Sequence, residues 1–159
     1  MGELLATGIF IAVLATGLMA GFFYAFSICV MAALAARPPA EAAAAMQSIN
    51  RVVLNAFFLP IFLGTALLSI AVAVAAWMHA SASTAAWTTA GAALYCLGTF
   101  AVTLRFNVPL NNALAALETN AAASAALWPS YLKVWTRWNH VRTLAALLSL
   151  ACFAAALMP

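Results

Sequence analysis

The side chains that could do chemistry are few, and most of them are imidazole, amide and guanidinium groups. His140 stands between Asn139 and Arg142, and the amides Asn107 and Asn111 come about thirty residues earlier. Imidazole titrates near neutral pH and can take up and return a proton, while amide and guanidinium groups can donate hydrogen bonds to an oxyanion. Such a set could deprotonate a flat, acidic lipophile and hold the resulting anion.

An electron-rich anion of this kind can react with dioxygen directly, so we expect dioxygen as a co-substrate and no cofactor. The sequence has no glycine-rich phosphate loop and no paired carboxylates. Two distant histidines and three scattered acids do not predict a metal site within one chain. A metal or haem bound between subunits stays open. The three cysteines are widely spaced, which indicates neither a disulfide framework nor a metal cluster.

The composition is that of a membrane protein. Of the 159 residues, 68% are hydrophobic and 6% are charged, against about 25% charged residues in an average soluble domain. No charge occurs between Glu3 and Arg37, between Arg51 and Arg105, or after Arg142. Since a span needs about 20 apolar residues, these stretches predict transmembrane helices near residues 4 to 36, 52 to 77, 86 to 106 and 136 to 157 in a single membrane domain over residues 1 to 159.

The basic residues predict the orientation. All six fall in the first and third loops of this topology, which places those loops in the cytoplasm and both termini outside. We expect the protein in a bacterial cytoplasmic (inner) membrane, with the lipid bilayer as its surroundings. Topology accounts for the net charge of +3, so a nucleic-acid partner is not expected.

Two shorter helices are predicted on the cytoplasmic side, at Ala40 to Asn50 and at Pro109 to Thr119, where proline suits a first helical position. The second has an apolar face with i, i+3, i+4, i+7 spacing. The fold class is therefore all-α: a four-transmembrane-helix bundle with short amphipathic helices on the cytoplasmic side. A small-residue face on the first helix, with Ala12, Thr16 and Ala20, favours close packing within the bundle over a dimer contact, although a homo-oligomer stays open.

These elements gather polar residues at one membrane face. Four-residue spacing aligns Gln47, Arg51 and Asn55 at the start of the second span, and Thr99, Thr103 and Asn107 at the end of the third. On the fourth span, a polar face is expected to look inward and consists of Thr136, Asn139, His140 and Thr143. A second stripe on that helix suits the headgroup belt and is interpreted as a membrane anchor; it consists of Tyr131, Trp135, Trp138 and Arg142.

Four segments resemble the anthrone oxygenase family of small four-helix membrane proteins. They are Gly17-Leu-Met-Ala-Gly-Phe-Phe-Tyr-Ala-Phe-Ser27, Met46-Gln-Ser-Ile-Asn-Arg51, Phe106-Asn-Val-Pro-Leu-Asn-Asn112 and Trp135-Thr-Arg-Trp-Asn-His-Val-Arg-Thr143. The family takes its name from members that oxidise anthrones to anthraquinones with dioxygen, without metal or flavin. The resemblance implies substrate-binding roles for Asn50, Arg51, Asn111, Asn112, Trp135 and Trp138.

We therefore expect an oxygenase acting on a small lipophilic aromatic substrate. His140 would accept a proton, and the oxyanion would be held by Asn107, Asn139 and Arg142 with Asn111. A non-enzymatic membrane protein that binds a lipid, quinone or other lipophile, or that supports a partner complex, remains the alternative. An ion channel or transporter is less favoured, because the span centres carry no charge.

Overall fold

The computed structural model describes residues 1–158, which form a helical bundle without β-strands. Four helices are long and apolar enough to cross a membrane: α1 (Glu3–Ala35), α3 (Phe58–His79), α4 (Ala82–Ala115) and α5 (Ala121–Ala156). The shorter α2 (Pro39–Val52) connects α1 to α3. The prediction of an all-α integral membrane protein with four spans is confirmed. We call the end of the bundle where α1 ends, α3 begins, α4 ends and α5 begins the basic end.

The predicted helix α2 is present, but α3 begins at Phe58 instead of near residue 52. The residues between them form a turn. In this turn Oδ1 of Asn55 accepts hydrogen bonds from the backbone N–H groups of Phe57 and Phe58, each at 2.9 Å. Asn55 thus satisfies free donors at the start of α3 and is exposed, so it does not continue a polar helical face from Gln47 and Arg51.

Two helices continue through prolines, and one of these prolines, Pro109, was expected to mark a helix start. The segment from Pro109 onward was predicted as a separate helix, but it continues α4 to Ala115. Ahead of this proline, residues Thr103–Asn107 form a π-helical turn, in which the i→i+4 hydrogen bonds are replaced by i→i+5 bonds. Helix α5 begins at Ala121, well before the predicted residue 136, and contains the exposed Pro129. The Asn120 side chain caps it by accepting from the N–H of Ala123 at 3.0 Å.

The core is built mainly by α1 and α5, which pack along most of their lengths. At the end away from the basic end, Ile9 and Ala12 pack with Ala76 and Phe153. The small-residue face of α1 is buried inside the bundle, with Ala12, Thr16 and Ala20 at most 1% exposed. Close intramolecular packing of that face, as predicted, is confirmed.

The described residues include three π-helical segments with i→i+5 hydrogen bonds, here called wide turns. They are Phe26–Val30 in α1, and Leu94–Ala101 and Thr103–Asn107 in α4. Such turns are rare and often lie at functional sites. Each contains a polar side chain that bonds to α5: Ser27 contacts the Asn139 amide, Thr99 the carbonyl of Arg142, and Asn107 the carbonyl of Trp135. The wide turns therefore lie around one region of the bundle.

The close packing of α4 on α5 gives a stability prediction. A Cβ atom added at Gly98 would lie 2.5 Å from Cβ of Ala145, whereas one added at Gly64 would meet nothing within 4 Å. We expect Gly98→Ala to destabilise the protein by about 1 to 3 kcal/mol through overpacking. Gly64→Ala should be neutral or stabilising by up to about 1 kcal/mol. Thermal unfolding of both variants in detergent measures the difference, and equal unfolding temperatures would contradict this packing.

Candidate functional site

Helix α5 supplies most of the polar groups at the centre of the site. Tyr131, Trp135, Asn139 and Arg142 are four, four and three residues apart, which places them on one face of the helix. Their exposed fractions are 1%, 4%, 0% and 5%, so the whole face is buried.

The interpretation of Tyr131, Trp135 and Arg142 as membrane anchors is therefore wrong. Because α5 begins at Ala121, these residues lie within a long helix and are covered by other helices. Trp138 is the member of the stripe that turns away from this face. It is half-buried and stacks on Phe106, with ring centroids 3.6 Å apart.

Asn111 ties the aromatic side chains of α5 to α4. Its Oδ1 accepts a hydrogen bond from the Tyr131 hydroxyl at 2.9 Å and another from Nε1 of Trp135 at 2.8 Å. Nδ2 of Asn50, on α2, donates to the Tyr131 hydroxyl at 3.3 Å. Because both donors use Oδ1, Asn111 is held with Nδ2 as the group that it can offer to a ligand.

Arg142 is the most buried cation of the described chain. Nη2 donates to Oδ1 of Asn139 at 2.7 Å, and Nη1 donates to Oγ1 of Thr103 at 3.2 Å. The guanidinium carbon lies 4.5 Å from the ring centre of Phe23 and 5.1 Å from that of Trp135, within cation–π range. The guanidinium is thus held by neutral oxygens and aromatic faces.

No carboxylate balances this charge within residues 1–158, where the ion pairs are Arg37 with Glu41 and Arg51 with Glu118. In the same range, Nε of Arg142 is buried without a hydrogen-bond partner. A buried charge without a partner is costly, and an anion placed beside it would remove much of that cost. The site therefore favours an anionic ligand.

A cavity of about 90 Å³ lies against Arg142. Aromatic rings supply much of its wall: Phe22, Phe23, Phe26, Phe58 and Trp135. Polar groups enter from three helices: Asn50, Thr103, Asn111 and Arg142. Arginine is the one charged residue in the lining, and the lining contains no histidine or carboxylate. The cavity is therefore apolar and aromatic, with a single cation at one side.

Asn139 links this cavity to a second region of the molecule. Its Nδ2 donates to the carbonyl of Phe23 and to Oγ of Ser27, both at 2.8 Å. Ser27 Oγ also lies 3.0 Å from Nδ1 of His140 and 3.1 Å from Oγ1 of Thr143. A hydrogen-bonded chain therefore runs from Arg142 through Asn139 and Ser27 to His140.

His140 itself is exposed and lies beyond Ser27. It lines an open cleft of about 420 Å³ between α1 and α5, together with Lys133 and Arg137. The predicted inward face is thus correct for Asn139 and Thr143 and wrong for His140, because successive residues of a helix point about 100° apart. The role of His140 as a base stays a prediction.

The remaining predicted residues divide between this region and the surface. Asn107 is buried and donates to the carbonyl of Trp135 at 3.3 Å, and its Oδ1 is without a partner among the described residues. Arg51 is exposed and bound to Glu118. Asn112 is exposed. The cavity is thus lined by four of the predicted residues: Asn50, Asn111, Trp135 and Arg142. Asn107 and Asn139 lie beside it, bonded to Trp135 and Arg142. The others lie outside the cavity: Arg51, Asn112, Trp138 and His140.

Reasoning from the sequence missed Ser27 and the phenylalanines of the cavity wall. Ser27 is a polar residue inside a long uncharged run, which is a usable signal for an internal contact in a membrane helix. Phe22 and Phe26 are spaced i, i+4, but on a membrane helix this pattern is equally typical of a lipid-facing stripe. The sequence offers no comparable signal for Phe58.

The fold and site define a class: a four-span membrane bundle with an aromatic cavity that contains a buried cation. Comparison with protein families matches residues 54–152 to the family described as anthrone oxygenase. The chain belongs to this family. Comparison with curated proteins gave no match, and comparison with solved structures gave none.

Asn139 is expected to support both the fold and the buried charge. Replacing it by alanine removes its bonds to Arg142, Phe23 and Ser27 and leaves the guanidinium less satisfied. We expect Asn139→Ala to lower the free energy of unfolding by about 2 to 4 kcal/mol. The exposed Asn112→Ala should change it by less than about 0.5 kcal/mol. Thermal unfolding in detergent compares the two, and a wild-type stability for Asn139→Ala would refute this role.

Proposed function

We propose that this protein is a membrane-embedded oxygenase that oxidises anthrone-like, or other acidic phenolic, lipophiles with dioxygen and without a cofactor. The observation that most supports it is the guanidinium of Arg142, buried beside an aromatic cavity with no carboxylate partner in residues 1–158. Membership of the anthrone oxygenase family supports the same reaction class.

The reaction converts a methylene group into a carbonyl group. The substrate first loses one proton and becomes an anion whose negative charge is shared between its oxygen and the methylene carbon. That carbon gives electrons to dioxygen and forms a carbon–oxygen bond, which yields a peroxide. The O–O bond then breaks as the second hydrogen leaves the carbon, so one oxygen atom stays in the new carbonyl and the other departs in water.

In this proposal the ionised oxygen of the substrate accepts hydrogen bonds from two donors. One is Nε of Arg142, which has no partner among the described residues, and the other is Nδ2 of Asn111. A cation in a dry, low-dielectric cavity lowers the energy of the anion and therefore favours the reactive form of the substrate. Trp135 is fixed by Asn111, and its ring forms part of the cavity wall, where it can contact the atoms next to the ionised oxygen. Dioxygen partitions into apolar surroundings such as these.

His140 has a positioning role in this proposal, because it does not line the cavity. Neutral His140 can accept a hydrogen bond from Ser27, which in turn accepts one from Asn139, the partner of Arg142. Protonated His140 would donate to Ser27 and reverse that contact. The substrate would lose its proton to water at the basic end of the bundle before its oxygen enters the dry cavity, and Arg142 would then stabilise the anion.

The basic end of the bundle is proposed to face the cytoplasm of a bacterial cell, with the spans in the inner membrane. Arg37, Arg51 and Lys133 lie at this end and agree with the positive-inside rule. Both termini would then lie outside.

Arg142 can be tested by the ionisation of a bound probe. A hydroxyanthraquinone changes colour when its hydroxyl group ionises, so its apparent pKa can be read from visible spectra in lipid nanodiscs. A charged hydrogen bond contributes about 1.5 to 3 kcal/mol. The pKa of the probe bound to the wild type should therefore lie about 1 to 2 units below that of the probe bound to Arg142→Gln. Arg142→Gln should remove this shift and turnover of anthrone, whereas Arg137→Gln, in the outer cleft, should retain both.

A nearly isosteric substitution provides the charge control. Asn139→Asp keeps the shape of the side chain but places a carboxylate against Arg142, so it should compete with the anionic probe and weaken its binding at least 10-fold. If the bound probe has the same pKa in the wild type, Arg142→Gln and Asn139→Asp, Arg142 does not hold the anion. A probe that binds as expected without any anthrone turnover would favour the non-enzymatic lipophile-binding alternative.

The position of His140 predicts an indirect effect on the rate. His140→Ala and Ser27→Ala should each lower kcat for anthrone by a similar factor, and the double variant should be no slower than either single one. His79→Ala, at the opposite end of the bundle, is the control. A loss for His140→Ala that far exceeds the loss for Ser27→Ala would instead identify His140 as the direct base.

A further inference from the structure

The cavity beside Arg142 is too small to enclose a polycyclic substrate. Its volume is about 90 Å³. An engineered apolar cavity of about 150 Å³ holds one benzene molecule, and pockets that enclose drug-sized ligands measure about 300 to 1,000 Å³. Only the ionised oxygen and the few atoms next to it can therefore enter, and the rest of a ring system must lie elsewhere.

A groove of about 330 Å³ adjoins the cavity. Five residues line both spaces: Phe22, Phe26, Ile49, Val53 and Phe58. The rings of Phe22 on α1 and Phe58 on α3 lie with their centroids 5.0 Å apart. The two rings are therefore in contact and close the passage between the two spaces, here called the mouth, so they must move apart for an oxygen to reach Arg142. The groove is large enough for the rings that the cavity excludes.

The surroundings of the groove are apolar on the outside as well. None of its lining residues is charged, and its polar members are Ser48 and Asn55. On the adjoining turn Val52 is 69% exposed, Leu54 64% and Phe57 83%. Exposed apolar side chains in such a group are typical of a surface in contact with a membrane, and the exposed Ser48 and Asn55 suit its edge near the headgroups. The groove therefore faces lipid, with Arg142 as the one charge at its inner end.

Resting on the oxygenase proposal, we infer that the substrate enters sideways from the bilayer between Phe22 and Phe58 with its ionising oxygen leading. Its rings stay in the groove, and an alkyl chain on the far edge stays in lipid. The substrate class is thus an acidic phenol or enol whose bulky or alkyl substituents lie remote from the ionising oxygen. A flat fused ring edge beside that oxygen can lie across the mouth, whereas an alkyl chain attached there would have to fit into the small cavity and is excluded.

Two positional isomers test this orientation without any change to the protein. One hydroxyanthraquinone carries a hexyl chain on the ring edge remote from its hydroxyl group, and the other carries the same chain beside the hydroxyl group. Titration into lipid nanodiscs, followed by visible absorption, gives the Kd of each. The remote isomer should bind at least 10-fold more tightly. Equal Kd values, or tighter binding of the adjacent isomer, would overturn the inference.

Matched variants test the mouth. Phe58→Ala removes a ring shared by groove and cavity and should reduce the preference between the isomers at least 3-fold. Phe57→Ala removes a neighbouring ring that is exposed and lines neither space, so it should leave both Kd values within 2-fold. The same response from Phe57→Ala and Phe58→Ala would exclude Phe58 as part of the entry route.

The two proposals fail differently. Isomer preference and a Phe58 effect without oxidation of anthrone would support lateral entry and contradict the oxygenase. Oxidation of anthrone by a wild-type protein that binds both isomers equally would support the oxygenase and contradict lateral entry.

Discussion

A buried cation that pairs with no carboxylate of residues 1–158 is the constraint around which the rest of this structure is arranged. Removing a guanidinium from water costs several kcal/mol even after relaxation. Here neutral groups offset part of that cost: the amide of Asn139, the hydroxyl of Thr103 and the faces of Phe23 and Trp135. Hydrogen bonds to a charge contribute about 1.5 to 3 kcal/mol each, and cation–π contacts about 0.5 to 2. The unused Nε leaves the balance incomplete, as a binding site for an anion requires.

The same arrangement joins the helices. Asn139 supports Arg142 on its own helix and reaches across to the backbone of Phe23 and to Ser27 on α1. Asn111 connects α4 to Tyr131 and Trp135 of α5, and Asn50 brings in α2. In lipid there is little hydrophobic force between helices, so small residues and polar contacts determine how they pack. The residues that would bind a ligand therefore also hold the basic end of the bundle together.

The sequence was sufficient for the spans and for the region of the site. Long uncharged stretches predict the number of transmembrane helices, because such stretches are rare outside membrane spans. The spacing of the amides and threonines indicated that these polar residues lie at one face of the membrane. A helical wheel separates the faces of α5 but does not tell which face is buried. That choice depends on where the helix begins, and the assignment of the basic residues to the third loop predicted a later start than Ala121.

Other features depend on contacts that no local pattern contains. The wide turns arise where helices pack and are invisible to a fixed period of 3.6 residues. Asn55 fits the four-residue repeat of Gln47 and Arg51, yet caps α3 because the chain turns there. Adjacent residues can also lie on different sides of a helix. Asn139 contacts Arg142, which lines the cavity, whereas the next residue, His140, lines the outer cleft.

The wide turn Phe26–Val30 also divides α1 into two parts with different environments. Before it, small side chains set the close approach to α5; at and after it, Phe26, Met31 and Leu34 fill the space around α2 and Trp128. A wide turn is equivalent to one residue inserted into a regular helix, so the second part of α1 is rotated by about 100° from the face that a regular helix would present. Loss of one residue from this turn would therefore rotate Met31 and Leu34 away from α2, whereas substitutions before the turn leave the direction of that face unchanged.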